Sequence, residues 1–134
     1  MPNPRYMSYG GEPSVELLDK MTRAKQVYIG NLGWFCPKHA FEPKDFRDVR
    51  GVFLIGSHAT DSDWKDDTSD LDLKLIVPAP LPAQLHTYKR EVLDRLLHEG
   101  EKKRWIDLFF AREDYQVTLP RWDVTSYWNG LSIE

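Results

Sequence analysis

The sequence predicts an α+β fold in which helices pack on a small mixed β-sheet. Apolar residues recur at helical spacing in two segments, and three short apolar runs have the length of strands. These elements follow one another in the order helix, strand, loop, strand, helix, strand. The 134 residues fit one domain, so we expect residues 14–134 to fold together behind a flexible N-terminal segment, residues 1–13, rich in Pro, Gly and Asn.

The first predicted helix begins near Ser14, where the N-terminal segment ends. Apolar residues then recur every three or four positions, which is typical of a helix with one buried face. Glu16 suits the first turn, and two glycines further on can end the helix. The inward positions are Leu17, Leu18, Met21, Ala24 and Tyr28. Later, Pro43 predicts the start of a short helix that carries Phe46 and Val49 inward.

Three short apolar runs predict the strands, at residues 52–55, 71–77 and 105–110. The first run is apolar throughout, which is typical of a strand that is buried on both faces. Between the second and third strands, a predicted helix starts near Pro82 and ends before Gly100. Its inward stripe is Leu85, Tyr88, Val92, Leu93, Leu96 and Leu97.

Composition and charge narrow the class of protein. Hydrophobic residues make up 41% of the chain and charged residues 29%, as in an ordinary soluble globular domain. The net charge of −3 argues against a general polyanion-binding surface, so extended duplex nucleic acid is not an expected partner. No apolar run approaches the ~20 residues of a membrane span. The chain opens with no secretory signal pattern and contains a single cysteine, Cys36, from which we expect a cytoplasmic protein and a packing role for that thiol.

Three aspartates stand at polar positions of the second and third strands: Asp70, Asp72 and Asp107. Because side chains alternate between the faces of a strand, Asp70 and Asp72 point the same way, about 6.7 Å apart. If the third strand lies beside the second, Asp107 joins them from roughly 4.8 Å away. Carboxylates this close repel one another unless cations lie between them, and Mg²⁺ suits one or two carboxylates together with substrate phosphates. The sequence therefore predicts a Mg²⁺ site, with two ions expected about 3.5–4 Å apart.

Two further features point to a nucleotide. Gly56 and Ser57 follow the first strand, where a glycine permits close approach and backbone amides with a hydroxyl can hold phosphate. Lys74 shares the strand face of Asp70 and Asp72, so its ammonium either reaches the carboxylates or a phosphate, or points outward to solvent. A structural ion pair, for example with Lys74, is the alternative role for Asp107.

The order of these motifs resembles a known superfamily. An apolar strand ends in Gly56-Ser57, a polar loop leads to Ser69-Asp70-Leu71-Asp72-Leu73, and Ile106-Asp107-Leu108 follows later. This pattern looks like the nucleotidyltransferase superfamily that includes DNA polymerase beta and the kanamycin nucleotidyltransferases. The resemblance covers residues 52–110, and in size the chain is most similar to the minimal, single-domain branch.

The resemblance implies a nucleotidyltransferase fold and an enzyme that moves a nucleotidyl group, expected to be AMP from ATP, to an acceptor hydroxyl on a protein or a small molecule. It implies that Asp70 and Asp72 bind metal and that Gly56 and Ser57 hold the triphosphate. Asp107 would complete the metal site or help to deprotonate the acceptor. Minimal members often act as antitoxins that modify a helical toxin encoded beside them, so a helical protein is an expected partner.

Two other classes of function stay open. Thr60 and Asp61 stand where the family loop commonly has Arg-Gly, so one alternative is a weak or inactive domain that acts as an antitoxin or binding partner by contact. The other is a metal phosphodiesterase, since three carboxylates can also activate water. The aromatic residues near the C-terminus, Trp122, Tyr127 and Trp128, are expected to cover the core or to line an interface with a partner or in a homodimer.

Overall fold

The structure, a computed structural model, describes residues 12–55, 71–78, 82–99, 103–104, 106–112 and 121–132. The helices are α1 (Val15–Gly30), α2 (Leu32–His39), α3 (Pro43–Arg47), α4 (Pro82–Tyr88), α5 (Asp94–Leu96) and α6 (Thr125–Gly130), and a π-helical turn, Lys89–Leu93, joins α4 to α5. The strands are β1 (Gly51–Ile55), β2 (Leu71–Val77), β3 (His98–Glu99), β4 (Lys103–Arg104), β5 (Ile106–Arg112) and β6 (Trp122–Asp123). None of the helices in these described ranges is long and apolar enough to cross a membrane.

Four of the strands form one mixed sheet in the order β5-β2-β1-β6. β1 is antiparallel to β2 and to β6, whereas β2 and β5 are parallel. A parallel pair requires a crossover connection, and the helix that runs from α4 through the π-helical turn to α5 lies in it. β3 and β4 form a separate antiparallel pair. This mixed sheet with its helices confirms the α+β fold class.

One face of the sheet lies in the core. Alternate residues of β2 and β5 that point to this face are fully buried, and they include Leu71, Leu73, Leu75, Ile106 and Leu108. Four of the five predicted inward residues of α1, Leu17, Met21, Ala24 and Tyr28, belong to the same apolar cluster, whereas Leu18 is only partly buried and lies outside it. The opposite face of the same strands carries the partly exposed side chains. The sheet therefore has one apolar face and one face that is partly open to ligands.

Two buried tyrosines tie the helices together. The Tyr28 hydroxyl donates to the backbone carbonyl of Phe46 at 2.6 Å, and the Tyr88 hydroxyl donates to the carbonyl of Tyr28. The Tyr88 ring packs edge-on against Phe35, with ring centroids 4.7 Å apart. Burial raises the pKa of both phenols well above its ordinary value, because the phenolate would lose its hydration. These contacts link α1, α2, α3 and α4 around one aromatic cluster.

The predicted N-terminal elements agree with the structure, and one helix was missed. Ser14 caps α1 by accepting a hydrogen bond from the amide of Leu17 at 3.2 Å. α3 begins at Pro43, as predicted, and buries Phe46, but it ends at Arg47, so that Val49, which packs partly buried against the core, lies beyond the helix. α2 was not predicted, because it spans only eight residues and contains Pro37. Its Leu32, Phe35 and Cys36 side chains are buried, which confirms the packing role expected for the single cysteine.

The prediction is wrong for one residue of the inward stripe on the helix that runs from α4 through the π-helical turn to α5. Leu85, Tyr88, Val92, Leu93 and Leu97 are buried, but Leu96 is 44% exposed. The π-helical turn explains the difference, since it spaces its hydrogen bonds one residue further apart than an α-helix and shifts the residues after it. Leu97 therefore takes the inward position that a regular helix gives to Leu96.

The C-terminal residues close the other edge of the sheet. Val124 donates to the carbonyl of Val52 at 2.9 Å, and the amide of Val52 donates to the Thr125 hydroxyl at 2.9 Å. Trp128 is 1% exposed, and the Lys25 ammonium donates to its carbonyl at 2.7 Å. Trp122 and Tyr127 pack against the same core. Of the two roles expected for these aromatic residues, the structure confirms that they cover the core.

Candidate metal and nucleotide site

Asp72 and Asp107 lie next to each other on the partly open face of the sheet. They are register partners in the parallel strands β2 and β5. Residues that are opposite one another in adjacent strands share a face, and the strands lie about 4.8 Å apart. Both residues are half-buried, and the residues before and after each of them in the strand are buried in the core. The strand pairing on which the predicted position of Asp107 depends is therefore present.

The structure describes only some of the remaining residues of the predicted site. Asp70, Gly56 and Ser57 lie outside the described residues. The residue before Gly56, Ile55, is the register partner of Asp72. Because β1 is antiparallel to β2, the chain leaves β1 at the end of the sheet that carries Asp72. The Gly-Ser motif thus follows directly from a strand position beside the predicted metal ligands.

Asp107 has a charged partner that sequence reasoning did not identify. The Lys89 ammonium lies 3.0 Å from Oδ1 of Asp107, and the two side chains are only 23% and 14% exposed. The same ammonium lies 4.4 Å from the ring centroid of Phe109, two residues further along β5. Lys89 is the first residue of the π-helical turn, so its reach depends on how that turn places the helix over the edge of the sheet. No motif in the sequence marks this lysine.

Lys74 lies on the same face of the sheet, two residues after Asp72 in β2. It is the register partner of Phe53 in β1 and of Phe109 in β5, so it lies between two aromatic positions. The sequence predicted that Lys74 shares a face with Asp72, and its alternating position in β2 agrees. Along the strands, Lys74 and Phe109 lie about 6.7 Å beyond the aspartate pair. The face therefore passes from two carboxylates to a lysine and an aromatic ring.

The donor set suits a divalent cation of the Mg²⁺ type. Such a hard cation takes one or two carboxylates and completes its shell with water and substrate phosphates. Asp72 and Asp107 supply two carboxylates from adjacent strands. Within the described ranges, no group of three or more His, Cys, Asp or Glu residues is placed to hold a metal ion. The third predicted ligand, Asp70, is outside those ranges, so the described share of the site is the carboxylate pair of Asp72 and Asp107, with the Lys89 ammonium in contact with Asp107.

Comparisons of the chain with protein-family models, with curated proteins and with solved structures gave no significant match. The fold class and the pairing of Asp72 with Asp107 therefore rest on the structure of this chain and not on a relative. The nucleotidyltransferase resemblance rests on the motifs.

Proposed function

We propose that the chain is a metal-dependent nucleotidyltransferase that moves a nucleotidyl group, AMP from ATP, to an acceptor hydroxyl on a protein or a small molecule. The observation that supports this most strongly is the register of Asp72 with Asp107 on the partly open sheet face. Two carboxylates in adjacent strands of one domain repel each other, and such an arrangement is favoured where cations and phosphates are bound.

In this proposal Asp70, Asp72 and Asp107 hold Mg²⁺, and Gly56 with Ser57 holds the triphosphate. Bound Mg²⁺ would supply charge neutralisation at the phosphates and a lower pKa for the acceptor hydroxyl. The acceptor oxygen attacks the α-phosphorus in line, the bond to the β-phosphate oxygen breaks, and pyrophosphate leaves. The acceptor proton passes to a carboxylate of the site or to water. Positioning and electrostatics would provide most of the acceleration.

The proposal places the protein in the cytoplasm, where its triphosphate substrate would be available. The chain contains one cysteine, Cys36, which is buried and free. A free buried thiol agrees with a reducing compartment, in which disulfides are rare.

Transfer of label from α-³²P-ATP tests the proposed reaction. The wild-type chain, Asp72→Asn and Asp107→Asn are incubated with Mg²⁺, labelled ATP and an extract of cellular proteins and small molecules. We expect label on an acceptor, with equal release of pyrophosphate, from the wild-type chain and a loss of at least about 100-fold in both variants. Asp19→Asn, an exposed position of α1, is the matched control and should transfer at the wild-type rate. Cleavage of phosphodiesters without ATP-dependent transfer would instead indicate a metal phosphodiesterase.

A second candidate function is binding by contact, without transfer. The ion pair of Lys89 with Asp107 favours it, because the carboxylate is already balanced by a residue of the chain itself. Mass spectrometry of the complex with a protein partner separates the two functions. A partner that gains one or more AMP units only with wild-type Asp72 supports transfer. A partner that binds the Asp72→Asn variant equally well and gains no mass supports contact alone.

A further inference from the structure

A groove continues from the aspartate pair along the edge strand β5. It has a volume of about 330 Å³ and lies between β5 and the helix that begins at Pro82. Lys74 and Phe109 form its inner end, one alternation beyond Asp72 and Asp107, and Arg112 lies at its outer end. The volume falls within the range of small-molecule sites, which is about 300–1,000 Å³.

The groove concentrates positive charge in a chain that is acidic overall. Lys74, Lys89 and Arg112 line it together with His86, whereas none of its described lining residues is acidic. The whole chain carries 21 Asp and Glu against 18 Lys and Arg. General basicity of the protein therefore does not account for four basic side chains around one cavity. A concave site with one sign of charge concentrates ligands of the opposite sign.

One of these cations is already held in place. Contact with Asp107 at 3.0 Å and with the Phe109 ring at 4.4 Å fixes the Lys89 ammonium at the inner end. An ammonium has three N–H donors, so contact with one carboxylate oxygen does not exhaust its capacity. A donor that is held before the ligand arrives loses less conformational entropy on binding. Lys89 therefore gives the inner end of the groove a preorganised cation.

The rest of the lining is apolar. Leu85 is buried beneath the groove, and Pro82 and Phe110 form parts of its wall. Phe109, at 36% exposure, presents part of its ring to the opening. Small-molecule sites usually combine such apolar walls with a few charged groups that fix orientation. This lining suits a ligand with an apolar or planar body and an anionic end.

We propose that this groove binds the phosphate group of a small molecule at its outer end, beside Arg112 and His86, while Lys74 and Lys89 add positive potential at the inner end. A phosphate dianion is attracted to a basic groove more strongly than a single carboxylate is, and Arg contacts its oxygens in a bidentate manner. The groove would bind the phosphate whether or not the chain transfers nucleotides. One further consequence rests on the proposed function: the bound phosphate belongs to the acceptor or to the nucleotide itself.

Binding of phenyl phosphate, followed by amide shifts in ¹⁵N-labelled protein, tests the groove. EDTA is present, so that the measurement does not depend on the proposed metal site. We expect shifts at residues 109–112 and in α4, and an affinity about tenfold weaker in Arg112→Gln and in His86→Gln, since each removes a hydrogen bond to a charged group. Arg95→Gln, an exposed arginine of α5 that does not line the groove, is the matched control and should bind as the wild-type chain does.

Phenol, in the same EDTA buffer, and Mg·ATP, in a separate titration without EDTA, complete the experiment. Phenol lacks the phosphate and should produce no comparable shifts. If the phosphate is that of the nucleotide, Mg·ATP competes with phenyl phosphate and is also weakened by Arg112→Gln; if it belongs to the acceptor, both ligands bind together. Either result supports the groove. Equal binding of phenyl phosphate to the wild-type chain and Arg112→Gln, or equal binding of phenol, would overturn it. Failure of the proposed function alone would leave this metal-free binding intact.

Discussion

Asp107 and Lys89 form an ion pair at the candidate site. The carboxylate is only 14% exposed, and the ammonium lies 3.0 Å away. Removing one partner of a poorly solvated ion pair costs more than the pair itself contributes, because the other partner loses a compensating charge. A divalent cation at Asp107 would compete with Lys89 for the same carboxylate. The pair thus links the stability of the metal-free protein to its affinity for metal.

We predict opposite effects of Lys89→Gln on these two properties. Without metal, the variant should lose about 1–2 kcal/mol of unfolding free energy, because Asp107 loses its contact with the ammonium. Its affinity for Mn²⁺ should rise several-fold, because the competing cation is gone. Urea unfolding in EDTA and with added Mn²⁺ measures both. Lys44→Gln, an exposed lysine of α3, should change neither. Unchanged stability together with unchanged Mn²⁺ affinity would contradict the prediction.

The Tyr28 hydroxyl gives a second prediction for a single residue. It donates to the buried carbonyl of Phe46 at 2.6 Å. Tyr28→Phe removes the donor and leaves that carbonyl with one partner fewer, so the unfolding free energy should fall by about 1–2 kcal/mol. Urea unfolding measures the change, with Tyr127→Phe, a half-buried position of α6, as the control. A loss of equal size in the control would show that the hydrogen bond is not the cause.

Among the elements, the strands were predicted best. β2 matches residues 71–77, because its apolar and polar residues alternate and a proline follows. The pairing of β2 with β5 could be stated only as a condition, since sequence does not give the neighbour of a strand. α2, the two short strands β3 and β4, and β6 were missed. They are short, and contacts made by distant parts of the chain decide them.

The π-helical turn leads to a matched prediction on adjacent leucines. Leu97 is 1% exposed and Leu96 is 44% exposed. Leu97→Ala should cost about 2–5 kcal/mol of unfolding free energy, because it leaves a cavity in the core. Leu96→Ala, outside the core, should stay within about 1 kcal/mol of the wild-type value. Urea unfolding of the two variants measures both losses. A larger loss in Leu96→Ala than in Leu97→Ala would contradict the π-helical turn.

The sequence predicted some residues of the candidate site and missed others. Asp72, Lys74 and Asp107 could be placed on one face, because the two-residue period of a strand fixes which side chains share it. Lys89 could not be predicted, because a helical lysine reaches Asp107 only once the π-helical turn and the sheet edge are in position. The basic groove depends on the same placement.

For the molecule as a whole, the buried tyrosines predict loss of stability at alkaline pH. Burial raises the pKa of Tyr28 and Tyr88 above its ordinary value, so the folded chain keeps protons that the unfolded chain releases above about pH 10. Stability is therefore unaffected by these groups below that pH and falls as pH rises beyond it, by up to about 1.4 kcal/mol per pH unit for each phenol. Urea unfolding between pH 8 and 11 should show a shallower fall in Tyr28→Phe than in Tyr127→Phe. Equal slopes would contradict the assignment.

Binding of Mn²⁺, measured by electron paramagnetic resonance of the free ion with a non-hydrolysable ATP analogue present, tests the proposed site most directly. We predict that the wild-type chain and Asp19→Asn bind Mn²⁺ equally, and that Asp72→Asn and Asp107→Asn each bind at least about tenfold more weakly, because each loses one carboxylate ligand. Circular dichroism confirms that each variant is folded. Equal Mn²⁺ binding by all four folded proteins, or no binding by the wild-type chain, would contradict a metal site at Asp72 and Asp107.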